Sequence, residues 1–138
     1  MSTEENKALV RKVYDAINAN DPDALDGLMA ADMDSNTRFA HPDGGLDGFK
    51  ESFKTALASF PDYSITIDDQ IAEGDKVVTR YTASGTQEGD FMGVAPTGER
   101  IELVGIDIDQ IEDGKIVAHW SEASLDDIMV KLGVAIPR

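Results

Sequence analysis

The hydrophobic spacing of this chain changes period at Pro61, and no other feature of the sequence constrains the fold as strongly. Between Asp47 and that proline, apolar side chains recur at helical spacing: Phe49, Phe53, Leu57 and Phe60. Beyond Pro61, apolar residues alternate with polar ones at Tyr63, Ile65 and Ile67, which is the period of a strand. Proline also stops a helix. Helices that precede a run of strands predict the α+β class.

Two more helices are predicted near the N-terminus. Ser2 and Glu5 form a capping-box pattern, and apolar residues at helical spacing then predict a first helix through Asn18: Leu9, Val10, Val13, Tyr14 and Ile17. Asn20-Asp21-Pro22 places a helix-capping residue before a proline, so a second, shorter helix is expected to continue through Met29. We expect these two helices to pack as a corner.

The strands after Pro61 are predicted to form an antiparallel meander of four. Glu73-Gly74-Asp75 and Glu112-Asp113-Gly114-Lys115 have the composition of hairpin turns. They separate strands that begin at Tyr63 and then span Lys76–Ser84, Ile101–Ile111 and Ile116–Ser121. A brief strand followed by a loop is predicted for residues 32–45. A strongly curved sheet wrapped on the first helix leaves a cavity between the two.

The segment Gly85–Gly98 is predicted to be a loop long enough to cover an opening. Phe91 and Met92 at its centre are candidate substrate contacts. Phe53 on the third helix is another, although an aromatic stripe of this kind belongs to a core more often than to a cofactor site. A last helix is expected within residues 124–133, because a capping pattern precedes it and a glycine ends it.

Charge and composition exclude several kinds of partner. The chain has 27 acidic and 12 basic residues, a formal net charge of −15, which repels nucleic acid and anionic membrane surfaces. It has no cysteine and two histidines, so disulfides and a dedicated zinc site are not expected. No signal-peptide pattern and no apolar run of membrane-spanning length is present. We therefore expect one domain over residues 1–138 and a cytoplasmic location.

Five strings of the sequence fit one family pattern. The most specific are GDFMGVAPTG at 89–98 and EDGKIVAHW at 112–120, and the others are NKALVR at 6–11, FPDY at 60–63 and GIDI at 105–108. Together they resemble the SnoaL-like polyketide cyclases of the nuclear transport factor 2-like superfamily, over nearly the whole chain. The resemblance implies a cone-shaped α+β barrel with a pocket between the first helix and the concave sheet. It also implies a homodimer through the outer sheet face and no metal or organic cofactor.

The function implied by this resemblance is acid/base catalysis. Characterised cyclases of this family close a ring in an aromatic polyketide ester by an aldol reaction, and the wider superfamily includes ketosteroid isomerases and members without known catalysis. We therefore expect a cyclase-type or isomerase-type enzyme that acts on an apolar carbonyl or polyketide-like substrate. Because fold alone leaves function open, a non-catalytic small-molecule-binding protein and an assembly protein of the same fold are the alternatives.

Asp107 is the first candidate catalytic residue. It shares one strand face with apolar residues, so burial is expected to raise its pKa, and a neutral carboxylic acid there can donate to a developing enolate. Asp107 resembles an Asp on the same strand of the related isomerases, which is a hydrogen-bond donor. A carboxylate that is satisfied by neighbouring groups is the alternative. Asp109 points the same way and is a candidate for binding substrate or for sharing a proton with Asp107. Because carboxylates without a partner avoid burial, however, we expect Asp109 to be exposed at the sheet edge rather than buried in the pocket.

Tyr14, His119 and Trp120 complete the candidates with a chemical role. Tyr14 resembles a tyrosine on the first helix of ketosteroid isomerases and is a candidate oxyanion donor, or else an ordinary half-buried core residue. His119 and Trp120 alternate, so only one of them faces the pocket, and the sequence does not decide which. His119 is a candidate proton carrier or a structural histidine. Trp120 is a candidate substrate contact.

The chain departs from the family pattern at two places. Relatives commonly have an acidic residue shortly after the His-Trp pair, where this chain has Ser121-Glu122-Ala123-Ser124. The expected base is therefore absent from that stretch. Many relatives also have a His-Asp-Pro motif on the first strand, where this chain has residues 34–38. Here Asn36 is a candidate hydrogen-bond partner of a ligand, and Arg38 is a candidate partner of a carboxylate.

Overall fold

A computed structural model describes residues 2–37, 44–124, 128 and 130–133, with the side chain of Thr37 left aside. In chain order the elements are α1 (Thr3–Asn18), a 3₁₀ helix (Pro22–Gly27), β1 (Met29–Thr37), α2 (Gly45–Ser59), β2 (Ser64–Glu73), β3 (Lys76–Thr86), β4 (Arg100–Glu112) and β5 (Lys115–Ala123). The fold is α+β, as predicted.

The predicted helices at both sides of β1 are confirmed. Helix α1 begins with the expected capping box, in which the Glu5 amide donates to Ser2 Oγ and the Ser2 amide donates to Glu5 Oε1, each at 3.1 Å. Helix α2 ends at Ser59, directly before Phe60 and Pro61. Local signals were sufficient for both helices.

The predicted second helix is wrong in type and extent. The chain forms a six-residue 3₁₀ helix and then enters β1 at Met29 instead of remaining helical. The reason is a long-range pairing: the Ile116 amide donates to the Leu28 carbonyl at 2.9 Å, and β1 then runs parallel to β5 from Met29 onward. Such tertiary pairing overrides the weak helical preference of a short segment.

The sheet has five strands in the order β1-β5-β4-β3-β2. Strands β2 to β5 are antiparallel neighbours in sequence order, which confirms the predicted meander, and β1 adds a parallel strand at its edge. Register shifts interrupt the pairs β1–β5, β2–β3 and β4–β5. Because bulges bend a strand and increase its twist, these shifts help the sheet to curl around α1.

Two apolar clusters lie on the concave side of the described structure. The larger joins α1, α2, β1 and the sheet and includes Val10, Val13, Leu25, Met29 and Val77. The smaller contains Phe60, Ile101, Ile128 and Leu132 and packs against Phe91 of the loop after β3. Most of the predicted last helix lies outside the described residues, although Ile128 and Leu132 are buried where that prediction places them.

Within the described part of the chain, no helix is both long enough and apolar enough to cross a bilayer. The cytoplasmic location stays a prediction.

Candidate functional site

A cavity of about 300 Å³ lies between α1, α2 and the concave face of the sheet. Its apolar wall includes Val13, Ile17, Met29, Phe49, Ile65 and Leu103. Its polar wall includes Tyr14, Tyr81, Asp107, Asp109, His119 and Ser121. Exposed Glu122 and Ala123 also line it, so the cavity reaches solvent at the end of β5. The volume is at the lower end of the range for small-molecule sites, roughly 300–1,000 Å³.

Strand β4 carries two carboxyl groups into this cavity. Asp107 and Asp109 are 6% and 2% exposed and lie on the inward face of the strand. The predicted shared face is therefore confirmed. The expectation that Asp109 is exposed at the sheet edge is wrong, because β3 and β5 flank β4 on both sides. A carboxyl group this deeply buried is rare without a partner.

Asp107 is bound at one oxygen and open at the other. The Tyr14 hydroxyl donates to Asp107 Oδ2 at 2.5 Å, whereas buried Asp107 Oδ1 has no hydrogen-bond partner among the residues that the structure describes. Burial raises the pKa of Asp107, and the negative charge of Asp109 adds to this. The positive charge of His119 and the hydroxyl groups of Ser121 and Tyr14 oppose the rise without cancelling it. Burial and the charge of Asp107 also raise the pKa of Tyr14, which keeps its proton on the hydroxyl.

Asp109 forms a buried ion pair with His119. Asp109 Oδ1 lies 2.6 Å from His119 Nδ1, which donates because a carboxylate can only accept. Burial alone lowers the pKa of His119, but the charge and hydrogen bond of Asp109, together with the charge of Asp107, raise it to about 9. The ring edge of Phe49 packs against the imidazole at a centroid distance of 5.7 Å. The imidazole is therefore cationic near neutral pH and fixed in orientation.

The register between β4 and β5 sets the spacing of these groups. Asp109 is paired directly with His119 and Asp107 with Ser121, so Asp107 and His119 are diagonal neighbours on the concave face. Diagonal neighbours in an antiparallel pair are about 7–8 Å apart. Both side chains line the cavity, so one ligand there can contact the carboxyl group of Asp107 and the imidazolium of His119. His119 Nε2 makes no hydrogen bond to any other described residue.

A β-bulge decides which member of the His-Trp pair faces inward. Val117 has no paired residue on β4, because Ile111 pairs with Ile116 and Gln110 with Ala118. After the bulge His119 is 7% exposed and lines the cavity, whereas Trp120 is 36% exposed on the outer face. The predicted substrate contact at Trp120 is therefore corrected: its side chain lies on the opposite face of the sheet.

Two predicted contacts near β1 are not brought to the described cavity. Asn36 pairs with Trp120 in the parallel ladder, is exposed and does not line the cavity. Its predicted role in binding a ligand there is therefore not supported by its position. Arg38 lies outside the described residues.

The three aromatic and thioether contacts predicted for the substrate also lie elsewhere. Phe53 is 7% exposed but is not part of the cavity wall, and Met92 is 52% exposed on the loop after β3. Phe91 packs on Phe60 at a centroid distance of 5.2 Å. No described residue of this loop lines the cavity: Phe91 and Val94 pack on the smaller apolar cluster, and the Ser59 hydroxyl at the end of α2 donates to the Asp90 carbonyl. The prediction that this loop covers the opening is therefore corrected.

Sequence analysis missed several wall residues that the fold brings together. Tyr63 and Tyr81 have the right alternation for the inward face, but nothing in their neighbourhood distinguishes them from core tyrosines. Ser121 lies in the stretch where relatives commonly have an acidic residue, and it lines the cavity opposite Asp107. Among the described residues no group of three or more His, Cys, Asp or Glu side chains has the arrangement of a metal site.

Comparison with known proteins places this geometry among related structures. The model of the SnoaL-like polyketide cyclase family matches residues 7–130. TsrD from Streptomyces laurentii is 30% identical with a TM-score of 0.88, and the match covers 98% of this chain and 99% of that chain. IdmH from Streptomyces antibioticus, described as a proposed polyketide cyclase, is 30% identical with a TM-score of 0.83 over 94% of this chain and 99% of its own.

AclR from Streptomyces galilaeus, described as a proposed hydroxylase, is 29% identical with a TM-score of 0.84. This match covers 96% of the chain and 98% of AclR. No curated protein sequence matches the chain.

Proposed function

Because the chain belongs to the SnoaL-like polyketide cyclase family, we propose that it is a cofactor-independent acid/base catalyst for an apolar carbonyl or polyketide-like substrate. The observation that carries the proposal is the open oxygen of Asp107. A buried carboxyl oxygen without a partner, in the wall of a mostly apolar cavity, is costly to stability unless a ligand uses it.

Asp107 acts as the general base in this proposal. Burial raises its pKa and so increases its affinity for a proton, as is required of a group that removes a proton from carbon next to a carbonyl. The Tyr14 hydroxyl holds Oδ2 and fixes the plane of the carboxylate, which leaves Oδ1 free to accept the proton. Tyr14 is thus a positioning residue for Asp107.

His119 supplies the complementary acid. As a cation held by Asp109, it donates a hydrogen bond or a proton to the oxygen that gains negative charge when the carbon loses its proton. The two charged groups face the substrate from neighbouring strands, so the proton can be removed and the enolate stabilised in one step. Ring closure of aldol type or double-bond isomerisation follows from such an enolate according to the substrate.

The test is proton exchange at carbon, which needs no knowledge of the natural substrate. The bicyclic ketone 2-tetralone has acidic protons beside its carbonyl, and their replacement by deuterium in D₂O is followed by NMR. We expect the protein to accelerate exchange and Asp107→Asn to reduce the acceleration by about 10²–10⁴-fold, the usual contribution of a general base. Asp69→Asn, at an exposed carboxylate on β2, is the matched control and should retain the rate. Undiminished exchange in Asp107→Asn contradicts the assignment.

A binding protein without catalysis is the second candidate, and Ser121 is the observation that favours it. The residue opposite Asp107 on β5 is a serine, in the stretch where relatives commonly have an acidic residue, and the other buried carboxyl group of the cavity, Asp109, is held in the ion pair with His119. If the protein only binds its ligand, 2-tetralone binds but its deuterium exchange is not accelerated. Asp107→Asn then changes the affinity for 2-tetralone and leaves the exchange rate unchanged.

The homodimer implied by the family is also part of the proposal. Val104 and Ile106 on β4 are 39% and 47% exposed, and Trp120 on β5 lies on the same outer face. Apolar side chains gathered on one sheet face are typical of an interface. We expect light scattering to give the mass of a dimer, and Ile106→Lys to shift it to a monomer. A monomeric mass for the unmodified chain contradicts this part.

A further inference from the structure

Gly105 occupies a place on the concave face of β4 where the structure leaves no room for a side chain. It lies between Leu103 and Asp107 on the inward face and pairs directly with Tyr81 of β3. A Cβ atom at Gly105 collides with the Tyr81 ring and its hydroxyl oxygen, including a separation of 2.9 Å from Cε1. The φ of Gly105 is not in the left-handed region, so the backbone does not require glycine there. Glycine is required at this position because the Tyr81 ring lies over it.

Tyr81 consequently lies across β4 with its hydroxyl directed at β5. The hydroxyl oxygen is 3.5 Å from Ser121 Oγ, and the ring meets Tyr14 edge-on at a centroid distance of 6.2 Å. Tyr81 is 5% exposed, and its ring forms part of the cavity wall. A separation of 3.5 Å is at the outer limit of a hydrogen bond. The Ser121 hydroxyl also lies beside Asp107, its cross-strand neighbour, and helps to lower the pKa of that carboxyl group. A hydroxyl has one proton and two lone pairs, so Tyr81 and Ser121 can each still bind a ligand oxygen.

The walls around this pair of hydroxyls define what fits. The opposite wall is apolar, with Val13, Ile17 and Phe49, so the body of a ligand there is apolar. A protein cavity of roughly 150 Å³ holds benzene. The cavity of about 300 Å³ is twice as large and corresponds to a body of two fused rings.

We propose that Tyr81, seated over Gly105 and facing Ser121, is the specificity-determining residue of the cavity. It selects compact two-ring ligands that direct an oxygen, separate from any carbonyl oxygen bound at His119, at the Tyr81–Ser121 hydroxyl pair. The ring limits the length of the ligand, and the hydroxyl pair selects its oxygen. This inference rests on the proposed function only for the location of the site. Its test measures binding and not turnover. The specificity proposal can therefore fail while the proposed catalytic function holds, and the reverse is also possible.

The first experiment compares oxygenated and plain two-ring probes by calorimetry. The ratio of the naphthalene Kd to the 2-naphthol Kd reports the contribution of the ligand oxygen. We expect Tyr81→Phe and Ser121→Ala each to reduce this ratio by about 2- to 10-fold, the range for one neutral hydrogen bond. Ser64→Ala is the matched control, since Ser64 pairs with Ser84 Oγ at 3.3 Å outside the cavity. An unchanged ratio in both cavity variants overturns the oxygen selection.

The second experiment tests the size limit. We expect the wild-type chain to bind the four-ring 1-hydroxypyrene at least tenfold more weakly than 2-naphthol, and Tyr81→Leu to narrow that difference. Gly105→Ala should push the Tyr81 ring into the cavity and weaken 2-naphthol several-fold. Gly27→Ala is its control, because an added Cβ there meets nothing within 4 Å. Equal binding of both probes by the wild-type chain, or binding of neither, overturns the proposal, and circular dichroism verifies that each variant is folded.

Discussion

Two buried polar centres in this molecule differ in how completely their hydrogen bonds are made. Gln87 is fully buried, and its amide uses both ends: Nε2 donates to the carbonyls of Gly89, Val94 and Ala95, and Oε1 accepts from the amide and hydroxyl of Thr97. Asp107 is almost as buried, yet one of its oxygens has no partner in the described part of the chain.

The difference separates a structural role from a chemical one. At Gln87 every polar atom holds the loop after β3 in place, and no capacity is left for a ligand. At Asp107 one hydrogen bond, from the Tyr14 hydroxyl, orients the carboxyl group, and the other oxygen is left open towards a cavity. Buried polar groups in folded proteins are almost always satisfied. Buried Asn6 Oδ1 also has no partner among the described residues, but Asn6 does not line the cavity, whereas Asp107 does. An open buried oxygen in the wall of a cavity therefore marks the place where function is expected.

The largest effect on stability is predicted for the satisfied centre. Gln87→Leu leaves the loop carbonyls and Thr97 without their partner, and several lost hydrogen bonds together should lower the free energy of unfolding by about 3 kcal/mol or more. Urea unfolding measures the change. Gln110→Leu is the matched control, since among the described residues the Gln110 side chain makes a single exposed hydrogen bond, to Asp75, and its loss should change stability by less than about 1 kcal/mol. Similar values for the two variants contradict the role of Gln87 as an anchor.

A second prediction concerns the pH dependence of the Asp109–His119 pair. The pKa of His119 rises from 6.5 in the unfolded chain to about 9 in the folded one. A raised histidine pKa means that the folded state binds the proton more tightly. The stabilisation is therefore complete below pH 6.5 and is lost as the pH rises through 9. We expect the free energy of unfolding to fall across this window by on the order of 3 kcal/mol at most.

Asp109→Asn tests the same pair from the other side. Without the carboxylate, burial dominates and lowers the pKa of His119, so the stability should no longer fall between pH 6.5 and 9. The His119 ring proton, followed by NMR, reports the pKa directly, and His41→Gln assigns it because the chain has two histidines. A His119 pKa that remains near 9 in Asp109→Asn shows that the ion pair is not its cause.

The sequence predicted the elements whose signals are local. The capping box of α1, the proline after α2 and the Asp-Gly turn before β5 each lie within a few residues of the structure they determine. Strand β1 was mistaken for helix at Met29 because its pairing partner is Ile116, far along the chain. Alternation likewise placed Asp107 and Asp109 on one face correctly.

The pairing of Asp109 with His119 was beyond the reach of the sequence for a similar reason. A regular hairpin that starts from the Glu112–Lys115 pair places Ala118, and not His119, opposite Asp109. The bulge at Val117 shifts the register by one residue and turns His119 inward. No feature of the local sequence predicts that bulge. The Asp109–His119 ion pair and the outward orientation of Trp120 therefore follow only from the structure.

The smallest effect on stability is predicted for Asp107→Asn. This variant tests whether Asp107, unlike Gln87, has a chemical and not a structural role. The amide keeps an oxygen for the Tyr14 hydroxyl and removes a charge that burial disfavours, so the free energy of unfolding at pH 7 should stay within about 1 kcal/mol of the wild type or increase. Urea unfolding beside Gln87→Leu measures this. If Asp107→Asn destabilises the chain as much as Gln87→Leu does, the open oxygen is part of the structural framework. If stability is kept while exchange is lost, the carboxyl group is held in the fold for its chemistry, at a site that folding alone does not need.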